Sequence, residues 1–115
     1  MKRFLVFALL ALGLVAAARP SHAANVRMFI HHKVNDYGAW RKVYNTFDAT
    51  RKKMGVTAQA VYQTVEDPND VIVTHDFKTV EKAKAFAAST ELKEAMEKAG
   101  VVGEPQIWFT RKAAK

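Results

Sequence analysis

Apolar and polar positions change rhythm several times along the chain. Val26 to Val34 (VRMFIHHKV) is rich in β-branched and aromatic residues and reads as a strand. From Tyr37 the period becomes helical: Tyr37, Trp40, Val43, Tyr44 and Phe47 recur on one side, with Met54 further on. Arg41, Lys42, Asp48 and Lys52 occupy the other side. Asn35 or Asp36 can cap this helix, and Gly55 behind a basic last turn stops it, which predicts one helix over 36–54. Thr57 to Glu66 and Val71 to Lys78 read as two further strands. The turn Asp67-Pro68-Asn69-Asp70 joins them into a hairpin, because Pro presets φ while Asp and Asn bond their own backbone. Thr79 caps a second helical stretch with two stripes, Val80, Ala83, Phe86, Ala87 and then Leu92, Ala95, Met96, Ala99. Ser89-Thr90 interrupts it and Gly100 ends it. Glu104 to Arg111 is the fourth strand, and Pro105 at its start places it at a sheet edge.

The order is β-α-β-β-α-β, the split βαβ arrangement of a ferredoxin-like α+β fold. Right-handed crossovers put the helices on one face of a four-stranded antiparallel sheet, with the first and third strands central. Side chains alternate along each strand, so two faces can be written out. Val26, Met28, Ile30, His32 and Val34, with Val71, Val73, His75, Phe77, Ile107 and Phe109, form the more apolar set and are assigned to the helices. Phe29, His31, Ile72, Thr74, Asp76 and Trp108 then face away. A chain this short cannot leave such a face wet, so a second copy is expected to cover it, making a homodimer through the sheet face.

Composition narrows the function. The N-terminus carries Met1-Lys2-Arg3, an uncharged apolar run from Phe4 to Ala18, and small residues up to Ala23. This is the three-part pattern of a secretory signal over 1–23, leaving a domain over 24–115 and a periplasmic or secreted location. The apolar run is short for a bilayer span, so no membrane association is expected after cleavage. Cleavage removes Lys2, Arg3 and Arg19 and lowers the net charge from +7 to +4. A dispersed charge of that size is a weak nucleic-acid signal, and no nucleic-acid partner is expected. Arg51-Lys52-Lys53 reads as a solvated helix end. The absence of Cys excludes disulfides, thiolate metal sites and a thiol nucleophile.

Three stretches carry a resemblance: HKVNDYGAWRKVYN (32–45), EDPND (66–70) and ELKEAMEKAGVVGEPQIWF (91–109). With them the chain resembles the small dimeric α+β barrel proteins related to antibiotic biosynthesis monooxygenases, a group that includes cyclase-like domains. The resemblance implies two ferredoxin-like subunits packed sheet against sheet, a pocket between sheet and helices in each, and no bound cofactor. It does not name a reaction, because this fold hosts cofactor-free oxygenases, haem-degrading enzymes, isomerases and binding proteins.

Candidate chemistry gathers on the face turned from the helices. His31 beside Asp76 would form a general-base pair, in which the carboxylate holds the imidazole tautomer. Phe29, Tyr62, Thr74 and Trp108 would line a small apolar or aromatic ligand. His31 and His32 point to opposite faces, and His32 with His75 lacks a third ligand, so no metal site is expected. Tyr37, Trp40 and Tyr44 read as core packing. No nucleotide loop, GxSxG or HExxH run is present. Two functions follow. One is an exported small-molecule-binding protein that acts as a cofactor-independent, monooxygenase-like enzyme on a small aromatic compound. The other is a non-enzymatic ligand-binding or stress-related module. A closed cavity holding His31 and Asp76 favours the first, and a cavity filled by its own side chains favours the second.

Overall fold

A computed structural model describes residues 25–115, and the expected signal segment lies outside the described residues. The elements run β1 (Val26–Val34), α1 (Tyr37–Thr46), α2 (Asp48–Lys53), β2 (Ala58–Gln63), β3 (Asp70–Phe77), α3 (Val80–Ala87), α4 (Thr90–Lys98) and β4 (Val101–Arg111). The sheet order is β2-β3-β1-β4, with every neighbouring pair antiparallel. The helices cover one face, as the ferredoxin-like reading requires. Among the described residues no helix is long and apolar enough to cross a membrane.

Local chemistry sets the element ends. The Asp36 carboxylate accepts from the Ala39 amide at 2.8 Å, the Thr79 hydroxyl from Lys82 at 3.1 Å, and the Ser89 hydroxyl from Leu92 at 3.1 Å. Ser89 thus starts α4 as a separate helix. In the β2–β3 turn, Asp67 accepts from the Asn69 amide at 2.9 Å. Asn69 in turn accepts from the Tyr37 amide at 2.8 Å, which ties that turn to the start of α1.

Two elements differ from expectation. The helix expected over 36–54 is two helices meeting at Phe47, whose amide is shared by the Val43 and Tyr44 carbonyls. The Tyr44 carbonyl also accepts a 2.6 Å hydrogen bond from Arg51, so a side chain satisfies a group that a continuous helix would pair with an amide. β4 begins three residues early. Val101 and Val102 pair with Val34 and Lys33, and the register then shifts, leaving Gly103-Glu104-Pro105 opposite His32. Gly103 accommodates this bulge with φ of 74°.

The face assignment holds. Val26, Met28, Ile30, Val34, Val71, Val73 and Phe77 are buried under the helices, with His32 and His75 among them. One core cluster gathers Met28, Ile30, Phe77 and Phe86, and a second gathers Val34, Trp40, Tyr44, Val71 and Val73. Each large side chain buried this way contributes roughly 2–3 kcal/mol.

Candidate binding site between the helices and the sheet

On the covered face, β1 supplies His32 and β3 supplies His75, separated by the Ile30–Val73 pair. α1 lays Trp40, Val43 and Tyr44 over them, and α4 adds Leu92, Ala95 and Met96, with Ala99 at its C-cap. These groups line a partly open cavity of about 30 Å³. Its aromatic lining is continuous: Trp40 stacks on Tyr44 with centroids 4.9 Å apart, and His32 meets Trp40 edge-on at 5.8 Å. Tyr44 Oη lies 3.3 Å from His75 Nε2.

His32 is 6% exposed and His75 1%. Neither nitrogen of His32, nor Nδ1 of His75, has a hydrogen-bond partner among the described residues. Burial pushes His32 down to about 4, with the neighbouring His31 adding to the effect. Burial also pushes His75 down to about 3, reinforced by the charge of Arg51. Both rings are therefore neutral near pH 7. Burial raises the Tyr44 phenol, with Arg51 opposing, so the phenol keeps its proton.

Arg51 was expected at a solvated helix end and is instead 1% exposed. Its guanidinium sits 3.7 Å above the Tyr44 ring centroid and donates to the Tyr44 carbonyl, to Gln59 at 2.8 Å and to Asp48 at 3.2 Å. The packed, fork-shaped group suits a site where Lys could not reach all three acceptors at once. Lys52 and Lys53 of the same run are exposed.

The residues expected to carry chemistry lie on the open face. Phe29 stacks on Trp108 with centroids 5.2 Å apart and planes within 2°, and Thr74 is the cross-strand neighbour of Phe29. The next row holds His31, Ile72 and Tyr62. Trp108 is 43% exposed and Tyr62 55%. Asp76 stands apart from His31. It pairs directly with Arg27, whose Nε and Nη2 donate at 2.7 and 3.0 Å. His31 lies opposite Ile72, about 13 Å along the strands from that row. His31 Nε2 instead lies 2.7 Å from Asp70 Oδ1, a diagonal cross-strand contact. Among the described residues no group of three or more metal-ligating side chains is close enough to hold an ion.

Sequence reasoning placed His32 and His75 on one face but read Tyr44 and Trp40 as packing alone. It also missed Asp70, which it assigned to the turn. The signal for Asp70 was present, since a residue two places before Ile72 shares its face. For Arg51 the local charge run masked the long-range contacts.

No protein-family model matches this sequence, and no curated protein matches it. Solved structures do match its fold. A candidate antibiotic biosynthesis monooxygenase from Bordetella bronchiseptica superposes with a TM-score of 0.69 at 14% identity, over 79% of this chain and 99% of that one. A second candidate from Nitrosomonas europaea gives 0.64 at 9% identity, over 78% and 91%. SnoaB, a cofactor-independent oxygenase from Streptomyces nogalater, gives 0.62 at 12% identity, over 79% and 97%. The chain therefore has the ferredoxin-like α+β fold of the antibiotic biosynthesis monooxygenase-like proteins.

Proposed function

We propose that this chain is an exported small-molecule-binding protein whose ligand sits between α1, α4 and the covered face of the sheet. The observation that carries this reading is the set of three buried imidazole nitrogens without a partner, all on residues that line the same cavity. Leaving a buried polar atom unpaired costs roughly 1–3 kcal/mol, so cores rarely keep three together. A ligand that presents polar atoms there recovers that cost, while the aromatic and aliphatic walls suit an apolar body. The cavity at rest has room for about one water molecule. An aromatic ligand therefore enters by displacing a wall. α4 is the wall held least, because Leu92 is its one buried residue and the half-buried Met96 is unbranched and adaptable. Export rests on the N-terminal pattern, and the purified periplasmic form is expected to begin at Ala24.

The open face fits a second copy of the chain. Phe29, Ile72, Tyr62 and Trp108 make an aromatic and aliphatic surface flanked by charged groups, as in interfaces between subunits. A dimer at micromolar concentration is expected on gel filtration, and a stable monomer would contradict the sheet-to-sheet arrangement.

Titration of isotope-labelled protein with acetophenone and ethylbenzene tests the interior site. Shifts confined to His32, Tyr44, His75 and Leu92 are expected. Shifts confined to Tyr62 and Trp108, or none at all, would overturn it.

A second reading, a cofactor-independent monooxygenase-like enzyme on a small aromatic compound, is favoured by the fold likeness to SnoaB and by the His31–Asp70 pair. Such chemistry asks a base to take a phenolic proton. The interior imidazoles are poor bases, since a conjugate acid near 3 or 4 lies six or seven units below a phenol, roughly 8–10 kcal/mol uphill. His31 is the base this reading uses, with Asp70 rather than Asp76 orienting it and Phe29, Thr74, Tyr62 and Trp108 on the same face. If so, His31→Ala abolishes turnover while melting stays nearly unchanged, and equal loss of both would mean packing alone.

A further inference from the structure

We infer that Tyr44 fixes the tautomer of His75 with the proton on Nδ1, so that His75 donates a hydrogen bond into the interior site and selects a ligand with an acceptor atom, such as an aromatic ketone. The inference rests on the reading of the interior as a ligand site and adds a ligand class to it.

A neutral imidazole carries one N–H and one bare nitrogen. Tyr44 Oη and His75 Nε2 are 3.3 Å apart, and Tyr44 Oη has no other partner among the described residues. Two arrangements are open. If Nε2 carries the proton and donates to the phenol oxygen, the phenolic proton lacks an acceptor and the bare Nδ1 lacks a donor. If the phenol donates to a bare Nε2, the N–H at Nδ1 is left without an acceptor and the phenol oxygen without a donor. The two leave equal numbers unmet, but a phenol is the stronger donor and a bare imidazole nitrogen the stronger acceptor, so the second makes the stronger bond and is favoured.

Arg51 reinforces the choice. Its guanidinium lies 3.7 Å over the Tyr44 ring centroid and is itself held by the Tyr44 carbonyl and Gln59. A cation over the ring withdraws electron density, which makes the hydroxyl a stronger donor and its oxygen a weaker acceptor. Packing keeps the geometry in place. Tyr44 is stacked between Trp40 and the guanidinium, and Phe86 meets the His75 ring edge-on at 5.2 Å. Nδ1 of His75 is then a buried donor without a partner, on a residue that lines the cavity. Tyr44 acts through His75 and is a positioning residue.

The ¹⁵N shifts of the His75 ring in the purified protein near neutral pH test the assignment. A protonated Nδ1 and a bare Nε2 are expected, and the reverse pattern overturns the inference without any variant being made. In Tyr44→Phe, whose backbone amide spectrum reports its fold, the pattern is expected to shift toward protonated Nε2. An unchanged pattern would remove Tyr44 from the account. Acetophenone is expected to bind wild type about three- to tenfold more tightly than ethylbenzene, the gain of one hydrogen bond. That preference should collapse in Tyr44→Phe. Equal binding of both probes to wild type overturns the acceptor preference and leaves the interior site standing. Binding of neither overturns the interior site and the ligand class with it, whatever tautomer the ring shows.

Discussion

His31 and His32 follow one another on β1, point to opposite sides of the sheet, and live in different solvents. On the open side polar groups find partners: His31 with Asp70, Arg27 with Asp76, and Lys33 with Asp67. On the covered side His32 and His75 are dry, neutral and short of partners. The face that looks chemical in the sequence pairs its imidazole and two of its cations with carboxylates within the chain. The face that looks like core holds the unmet imidazole nitrogens. A residue type marks where chemistry is possible, and an unmet hydrogen bond in a dry place marks where a ligand would be rewarded.

The largest expected effect on this contrast comes from Arg51. Arg51→Ala removes a 2.6 Å bond to the Tyr44 carbonyl and the bond to Gln59, empties space beneath α1, and should cost about 3 kcal/mol in urea unfolding. Lys52→Ala, one position on and exposed, should leave the urea midpoint unchanged. Similar losses for both would mean that Arg51 is no more than part of a charged helix end.

Residue for residue, acid should weaken the covered face next. His32 and His75 have folded values near 4 and 3, against 6.5 for a free imidazole. Between those limits the unfolded chain binds more protons, so stability falls as pH drops below about 6.5. From pH 7 to pH 5 the loss should be about 2 kcal/mol per histidine. His32→Leu should remove its share of that slope. A flat urea midpoint from pH 7 to 5 would mean that both rings are better solvated than their burial indicates.

Smaller effects are expected on the open face. Trp108→Ala breaks the stack on Phe29, worth about 1 kcal/mol within one chain. If a second copy packs there, the same change should also weaken the dimer, and melting temperature should lose its dependence on protein concentration. The smallest effect belongs to Arg27→Gln. Its pair with Asp76 is exposed, and the urea midpoint should not move.

The fold was legible in the sequence because its signals are local and repeated. Alternation in β1 and β3, caps at Asp36 and Thr79, and the Asp67–Asp70 turn each speak for their own segment. The break at Phe47 was not legible, because its cause is Arg51 reaching back to the Tyr44 carbonyl. The early start of β4 was hidden for a related reason, since a bulge around Gly103 and Pro105 obscures the alternation there. The site was legible only in part. Alternation assigned His31, Phe29, Thr74 and Trp108 to one surface, where they are found. It could not fix the offset between neighbouring strands, and that offset gives His31 to Asp70 and Asp76 to Arg27. Unmet hydrogen bonds at His32 and His75 are a property of packed space and leave no mark in a one-dimensional pattern.

The two imidazoles of the covered face, His32 and His75, stay neutral and dry. An NMR titration of the histidine rings in the intact protein tests this most directly. His32 and His75 are expected to remain neutral until about pH 4 and about pH 3. A midpoint near 6.5 for either ring would place water beside it and contradict the interior site.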